Sequence, residues 1–154
     1  MLIWSARISK RKLLLLLGLL TAVLCGIFAL LRSPPAPEIP VLSDNAARVA
    51  YLEALGWQVE PEAVETLQFL LPDPLTEPYL RYNELQKEQN FDLTVYCGQQ
   101  VTRCTYTVTN YPDRPQGVQL NLYVCDEHPI AGDIICTGAD GFQATLAYPD
   151  SSES

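Results

Sequence analysis

Apolar and polar residues follow three different rhythms along this chain, and each predicts a different element. The first has no alternation at all. Residues 13–31, LLLLLGLLTAVLCGIFALL, are nineteen consecutive positions without a charge. As a helix this run is about 28 Å long, close to the ~30 Å hydrocarbon core of a bilayer. A helix also satisfies its own backbone polar groups in lipid. The run is therefore expected to be a transmembrane helix. It is longer than the apolar stretch of a cleaved secretory signal, and ALLRSPP after it holds no small-x-small cleavage site. A signal anchor is the first reading and secretion after cleavage the alternative. Residues 32–43 follow as a linker. SPPAPEIP holds four prolines in eight residues, which suits a stiff spacer of roughly 25 Å and neither a helix nor a central strand.

The second rhythm is helical. Ser43 or Asp44 caps a helix expected from about Asn45 to Leu55, with Ala46, Val49, Leu52 and Leu55 on one face and Arg48 and Glu53 on the other. Gly56 fits the left-handed position after it, and Trp57 is placed to fold back on the last turn. Val64 to Leu71 reads as a strand, with a short helix as the alternative. A second helix begins near Asp73-Pro74 or Thr76-Glu77-Pro78 and stops near Asn90. Leu75, Tyr79, Tyr82, Leu85 and Gln89 line one stripe, and Arg81, Glu84, Lys87 and Glu88 its wet side.

From Gln100 the period becomes two. Cys104, Tyr106 and Val108 oppose Arg103, Thr105 and Thr107, and Val118, Leu120, Leu122 and Val124 oppose Gln119, Asn121 and Tyr123. Ile130 to Thr137 and a short stretch around Phe142 to Leu146 complete an antiparallel meander. The expected fold class is α+β: two helices packed on one face of an antiparallel sheet of about four strands, over residues 44–148, with a loose tail at 149–154.

Charge divides the chain the same way. Residues 1–32 carry five basic residues and no acid, a net of +5, whereas the rest carries five basic residues against all eighteen acids, a net of −13. The basic residues of segment 1–12 keep the N-terminus in the cytoplasm and send the acidic part across. An overall charge of −8 argues against nucleic acid as a partner. The expected partners are the bilayer, through the first helix, and an unknown protein of the cell envelope.

Candidate chemistry is sparse. The single histidine, His128, shares a turn with Asp126 and Glu127, a spacing unlike that of zinc ligands. It has no GxSxG partner for nucleophilic catalysis. Asp133 sits inside an apolar strand between Gly132 and Ile134, a half-buried carboxylate on one reading and, by alternation, a residue of the polar face on the other. No catalytic residue, metal or cofactor is expected. Four cysteines follow the apolar run, Cys97, Cys104, Cys125 and Cys136. An exported topology permits disulfides among them, with Cys97–Cys125 and Cys104–Cys125 both conceivable and free thiols equally so. Arg103, Thr105, Thr107, Asn121 and Tyr123 form a polar, aromatic-studded sheet face able to bind a peptide or a glycan.

Several segments carry a resemblance. Ala47-Arg48-Val49-Ala50-Tyr51-Leu52 running to Leu55-Gly56-Trp57-Gln58-Val59 is one. Tyr82-Asn83-Glu84-Leu85-Gln86-Lys87 with Phe91-Asp92-Leu93 is another, and Val101-Thr102-Arg103 with Tyr106 and Asn110-Tyr111-Pro112 a third. Together they resemble the domain of unknown function 4830 family, small extracytoplasmic proteins of Gram-positive bacteria, over about residues 45–147. Tyr-Asn-Glu-Leu-Gln and Val-Thr-Arg are the specific parts, and Cys104 departs from the pattern, where an aromatic residue is expected. The resemblance implies a bacterial, membrane-tethered setting and no particular activity. The function expected is a non-catalytic interaction module of the envelope, with a receptor for small ligands or cell-wall fragments as the alternative.

Overall fold

The computed structural model describes residues 39–112, 114, 116–138 and 140–149, together with Thr21. The expected cytoplasmic segment, the 13–31 helix apart from Thr21, most of the linker and the end of the tail lie outside the described residues. No helix of the described residues is long and apolar enough to cross a membrane. From Ile39 on, the chain forms one compact unit.

Two helices and five strands build it: α1 (Asn45–Ala54), β1 (Glu65–Leu70), α2 (Glu77–Lys87), β2 (Gln100–Thr107), β3 (Val118–Cys125), β4 (His128–Cys136) and β5 (Phe142–Ala144), with a 3-10 turn at Leu93–Tyr96 before β2. The sheet order is β1-β2-β3-β4-β5, and every neighbouring pair is antiparallel. The class is α+β, as the periodicity predicts, but the sheet has five strands rather than about four. β1 joins the meander at its outer edge, with α2 inserted between it and β2.

Local chemistry sets the element ends. The Asp44 carboxylate accepts from the Ala47 N–H at 2.8 Å, capping α1. Gly56 closes the helix at φ +96°, where an L side chain is strained. Asp126 and Glu127 join β3 to β4 with positive φ at both positions, the geometry of a two-residue hairpin turn. The lead-in to α1 is pinned to this turn. The Leu42 N–H donates to the Glu127 carbonyl at 2.6 Å, and His128 Nδ1 lies 3.0 Å from the Pro40 carbonyl.

The helices do not share a face. α1 contributes Leu52 to a core that also holds Trp57, Cys104, Tyr106, Leu120, Leu122 and Ile134. α2 places Tyr79 and Tyr82 against a second core of Leu71, Leu75, Leu93, Val101, Cys125 and Ile130. Strand alternation puts these two sets on opposite sides of the sheet, so the expectation of two helices on one face is corrected. Both faces carry apolar rows, and each helix covers one. The Arg48 assignment is corrected as well. It turns toward the sheet, with Nη1 3.3 Å from Cys104 Sγ.

Polar side chains hold α2 in place. Asn83 donates to Asp92 Oδ1 at 3.0 Å and accepts from the Leu93 N–H at 2.7 Å. Gln86 Oε1 accepts from the Gly132 N–H at 2.9 Å, and Gln89 Nε2 donates to the Gly132 carbonyl at 2.7 Å. Leu146 joins this cluster. Its N–H donates to Gln89 Oε1, and its carbonyl accepts from Trp57 Nε1, both at 2.8 Å.

Two outcomes follow. A Cβ on residue 132 would stand 2.4 Å from Leu146 Cδ1, so Gly132→Ala is expected to cost about 1–3 kcal/mol in urea unfolding. Combining it with Leu146→Ala, which removes the obstructing carbons, should cost less than the two single losses together. Separately, hydrogen bonds from Asn83 and then Thr94 hold Asp92 down to about 2. Its folded pKa lies below the ~3.9 of an unfolded aspartate, so its stabilising contribution is present above about pH 4 and is lost as pH falls toward 2. Asp92→Asn should flatten the acid limb of a stability–pH profile in that window.

Candidate binding face

The candidate face residues come together as a block. Register pairs Arg103 with Tyr123, Thr105 with Asn121 and Thr107 with Gln119 across β2 and β3. On the adjoining strands Leu67 lies beside Arg103 and Asp133 beside Asn121. This is the side of the sheet that α2 covers at one end only.

The covered end is aromatic. Tyr123 lies 5.5 Å from the Tyr82 ring and 6.3 Å from the Phe69 ring, centroid to centroid. Tyr123 is thus a wall beneath α2 rather than a freely solvated residue. The open end is a shallow depression of about 380 Å³ lined by Glu65, Arg103, Thr105, Gln119, Asn121 and Ile135. Thr105 Oγ1 donates to Asn121 Oδ1 at 2.7 Å, and both residues are buried in its floor. Arg103 Nη2 pairs with Glu65 Oε2. Its Nε is buried and has no hydrogen-bond partner.

Between the two ends lies Asp133, 1% exposed. Its Oδ1 accepts from the Tyr82 hydroxyl and its Oδ2 from Gln143 Nε2, both at 2.8 Å. Alternation predicted the correct face for Asp133, but not the cover that Tyr82 supplies from α2. The cue available was the stripe Tyr79, Tyr82, Asn83, Gln86, which continues the helical period through polar residues.

Burial, then the Asp133 charge, raises the pKa of Tyr82 far above its ordinary value, and the same two causes raise Tyr123. Both phenols therefore remain protonated donors at neutral pH. Burial opposes the Arg103 charge, but the Glu65 carboxylate and the Tyr123 hydroxyl outweigh it and raise its pKa. The Tyr82 hydroxyl is committed to Asp133 and the Arg103 guanidinium to Glu65. Tyrosines tuned away from neutrality are poorly suited to proton transfer.

The cysteines are free thiols at all four described positions, so no disulfide of the kind sequence permits is formed among them. Cys104 faces the α1 core and Cys125 the α2 core, and Cys104 stands opposite Leu122. The Cys104–Cys125 pairing is therefore excluded by register. Burial, then Asp126, raises the Cys125 pKa, which keeps that thiol unreactive. Among the described residues no group of three or more His, Cys, Asp or Glu side chains is arranged to hold a metal ion.

Removing the Tyr82 hydroxyl tests the bridge between helix and sheet. Tyr82→Phe leaves a buried carboxylate with one donor fewer and should cost about 1.5–3 kcal/mol in denaturant unfolding.

No curated protein and no solved structure matches the chain. A family model does match, over residues 51–132. That span includes α1 from Tyr51, the whole of α2, β1 to β3 and β4 as far as Gly132, more than half of the sequence. The chain belongs to the family described as a domain of unknown function, DUF4830.

Proposed function

We propose that this protein is a non-catalytic interaction module of the bacterial envelope, anchored by residues 13–31 with its acidic domain outside. The observation that carries the reading is the outer edge of the sheet. β1 lies at that edge, with Val64 just before it exposed to 56% and Leu67 and Leu70 within it exposed to 44% and 68%. Exposed apolar side chains on both faces of a regular edge strand are a contact surface for another chain. The nineteen-residue apolar run and the step from +5 to −13 support the anchored topology.

The depression beside Arg103 favours a second reading, a receptor for a small ligand such as a cell-wall fragment. Its floor of Thr105 and Asn121 and its rim of Arg103 and Glu65 present polar groups to such a ligand.

Two measurements separate the readings. A photo-crosslinking residue at position 67 of the full-length chain, in intact cells, should yield a discrete protein adduct. Muropeptides should leave the melting temperature of the detergent-solubilised chain unchanged. A ligand-dependent rise that Arg103→Ala abolishes, with no adduct, would establish the receptor instead. Protease added outside intact cells should digest the acidic domain.

A further inference from the structure

The interaction reading leaves the partner open, and the register of β1 narrows it. Glu65, Leu67 and Phe69 stand opposite Thr105, Arg103 and Val101. The Leu71 N–H donates to the Gln99 carbonyl at 2.9 Å, so the odd-numbered residues of β1 turn their backbone groups inward to β2. The far side of β2 agrees. Val108 donates to the Val118 carbonyl at 3.0 Å, which commits the even positions of β2 to β3 and its odd positions to β1. The N–H and C=O groups of Thr66, Gln68 and Leu70 therefore point away from the sheet, and all three residues are exposed.

The other edge of the sheet is treated differently. β5 is only three residues long, and beyond it the Gly132 backbone is occupied by Gln86 and Gln89. β1 has no such cover among the described residues. It contains neither proline nor lysine, the usual guards of an edge.

We infer that β1 pairs with β1 of a second copy of this chain, antiparallel about a two-fold axis at Gln68. The proposal rests on the interaction reading and names its partner. A two-fold pairing must join outward-facing positions to one another, which sets Gln68 opposite Gln68 and Thr66 opposite Leu70. Leu67 then meets Phe69 of the copy. That apolar pair occurs twice, once on each side of the two-fold axis. The only charge on the strand, Glu65, is already paired with Arg103 and meets no like charge. A slip by two residues toward the N-terminal end would set Thr66 against Gln68 and bring the Glu65 side chains nearer to each other. Six residues a side fall short of the ~1,200 Å² of a stable interface, and the domains share a net charge of −13 from residue 33 on. The contact is therefore weak in dilute solution and becomes populated when a common membrane plane concentrates the copies.

Single-cysteine variants of the full-length chain in membranes test this register. Hydrogen-bonded antiparallel partners have Cα atoms about 5.5 Å apart, inside the disulfide range. Gln68→Cys should cross-link to a covalent dimer under mild oxidation, several-fold above the wild-type background of native cysteines. Thr66→Cys should not, because the two copies of residue 66 lie roughly 14 Å apart at 3.4 Å per residue. Adding Leu70→Cys to Thr66→Cys should restore the dimer, and Leu67→Lys should suppress it in the Gln68→Cys chain without changing the melting temperature. The pairing is overturned if Thr66→Cys cross-links as readily as Gln68→Cys, or if Gln68→Cys does not exceed the background. A position-67 photo-adduct to some different protein, with no Gln68→Cys dimer, would overturn the second copy while leaving the interaction reading intact. Loss of both signals would end both.

Discussion

Beyond the end of β5, β4 has no strand to pair with, and two glutamine side chains take the missing place. Gln86 accepts the Gly132 N–H while Gln89 serves the Gly132 carbonyl, reproducing the bonds of a ladder with side-chain amides. Gln89 also receives the Leu146 N–H, and the Leu146 carbonyl receives the Trp57 indole. One connected set of hydrogen bonds thus ties α2, β4, the segment after β5 and the residue that follows α1. The absence of a side chain at Gly132 lets Leu146 lie over it. Each buried amide here would cost free energy if left unpaired. The position of α2, and with it the placement of Tyr82 over the sheet, depends on this set.

Much of the fold was legible in the amino-acid pattern, and the reason is periodicity. Val118, Leu120, Leu122 and Val124 alternate inward, and β3 runs Val118–Cys125 as expected. Asp44 caps α1 and Gly56 ends it, because both acts need only local chemistry. What was not legible depends on partners distant in the chain. Asn83 and Gln86 are buried because backbone groups of Leu93 and Gly132 receive them, and no spacing rule announces that. Arg48 reads as a solvent-side cation by helical wheel, yet its guanidinium reaches Cys104. The extra strand and the split of the helices between faces have the same origin. They are set by which apolar row each helix meets.

The candidate face shows both regimes together. Alternation alone placed Arg103, Thr105, Thr107, Asn121 and Tyr123 on one side, and the ladder sets them opposite or beside one another. Alternation could not show that α2 covers half of that side. Tyr123 became part of an aromatic wall and Asp133 a buried acceptor, while Arg103 stayed at the open end with Glu65. The uncovered part of the molecule is thus continuous, from the depression across Arg103 to the edge of β1.

The pinning of Pro40 and Leu42 to the β3–β4 turn has a mechanical meaning. Tension arriving through Ile39 reaches the tip of the central hairpin before it reaches α1. The two strands behind that tip lie in the middle of the sheet, each flanked on both sides. A pull along the chain is therefore taken up by the part of the domain with the most ladder bonds to share it. The short edge strand β5 and the loosely covered β1 are spared.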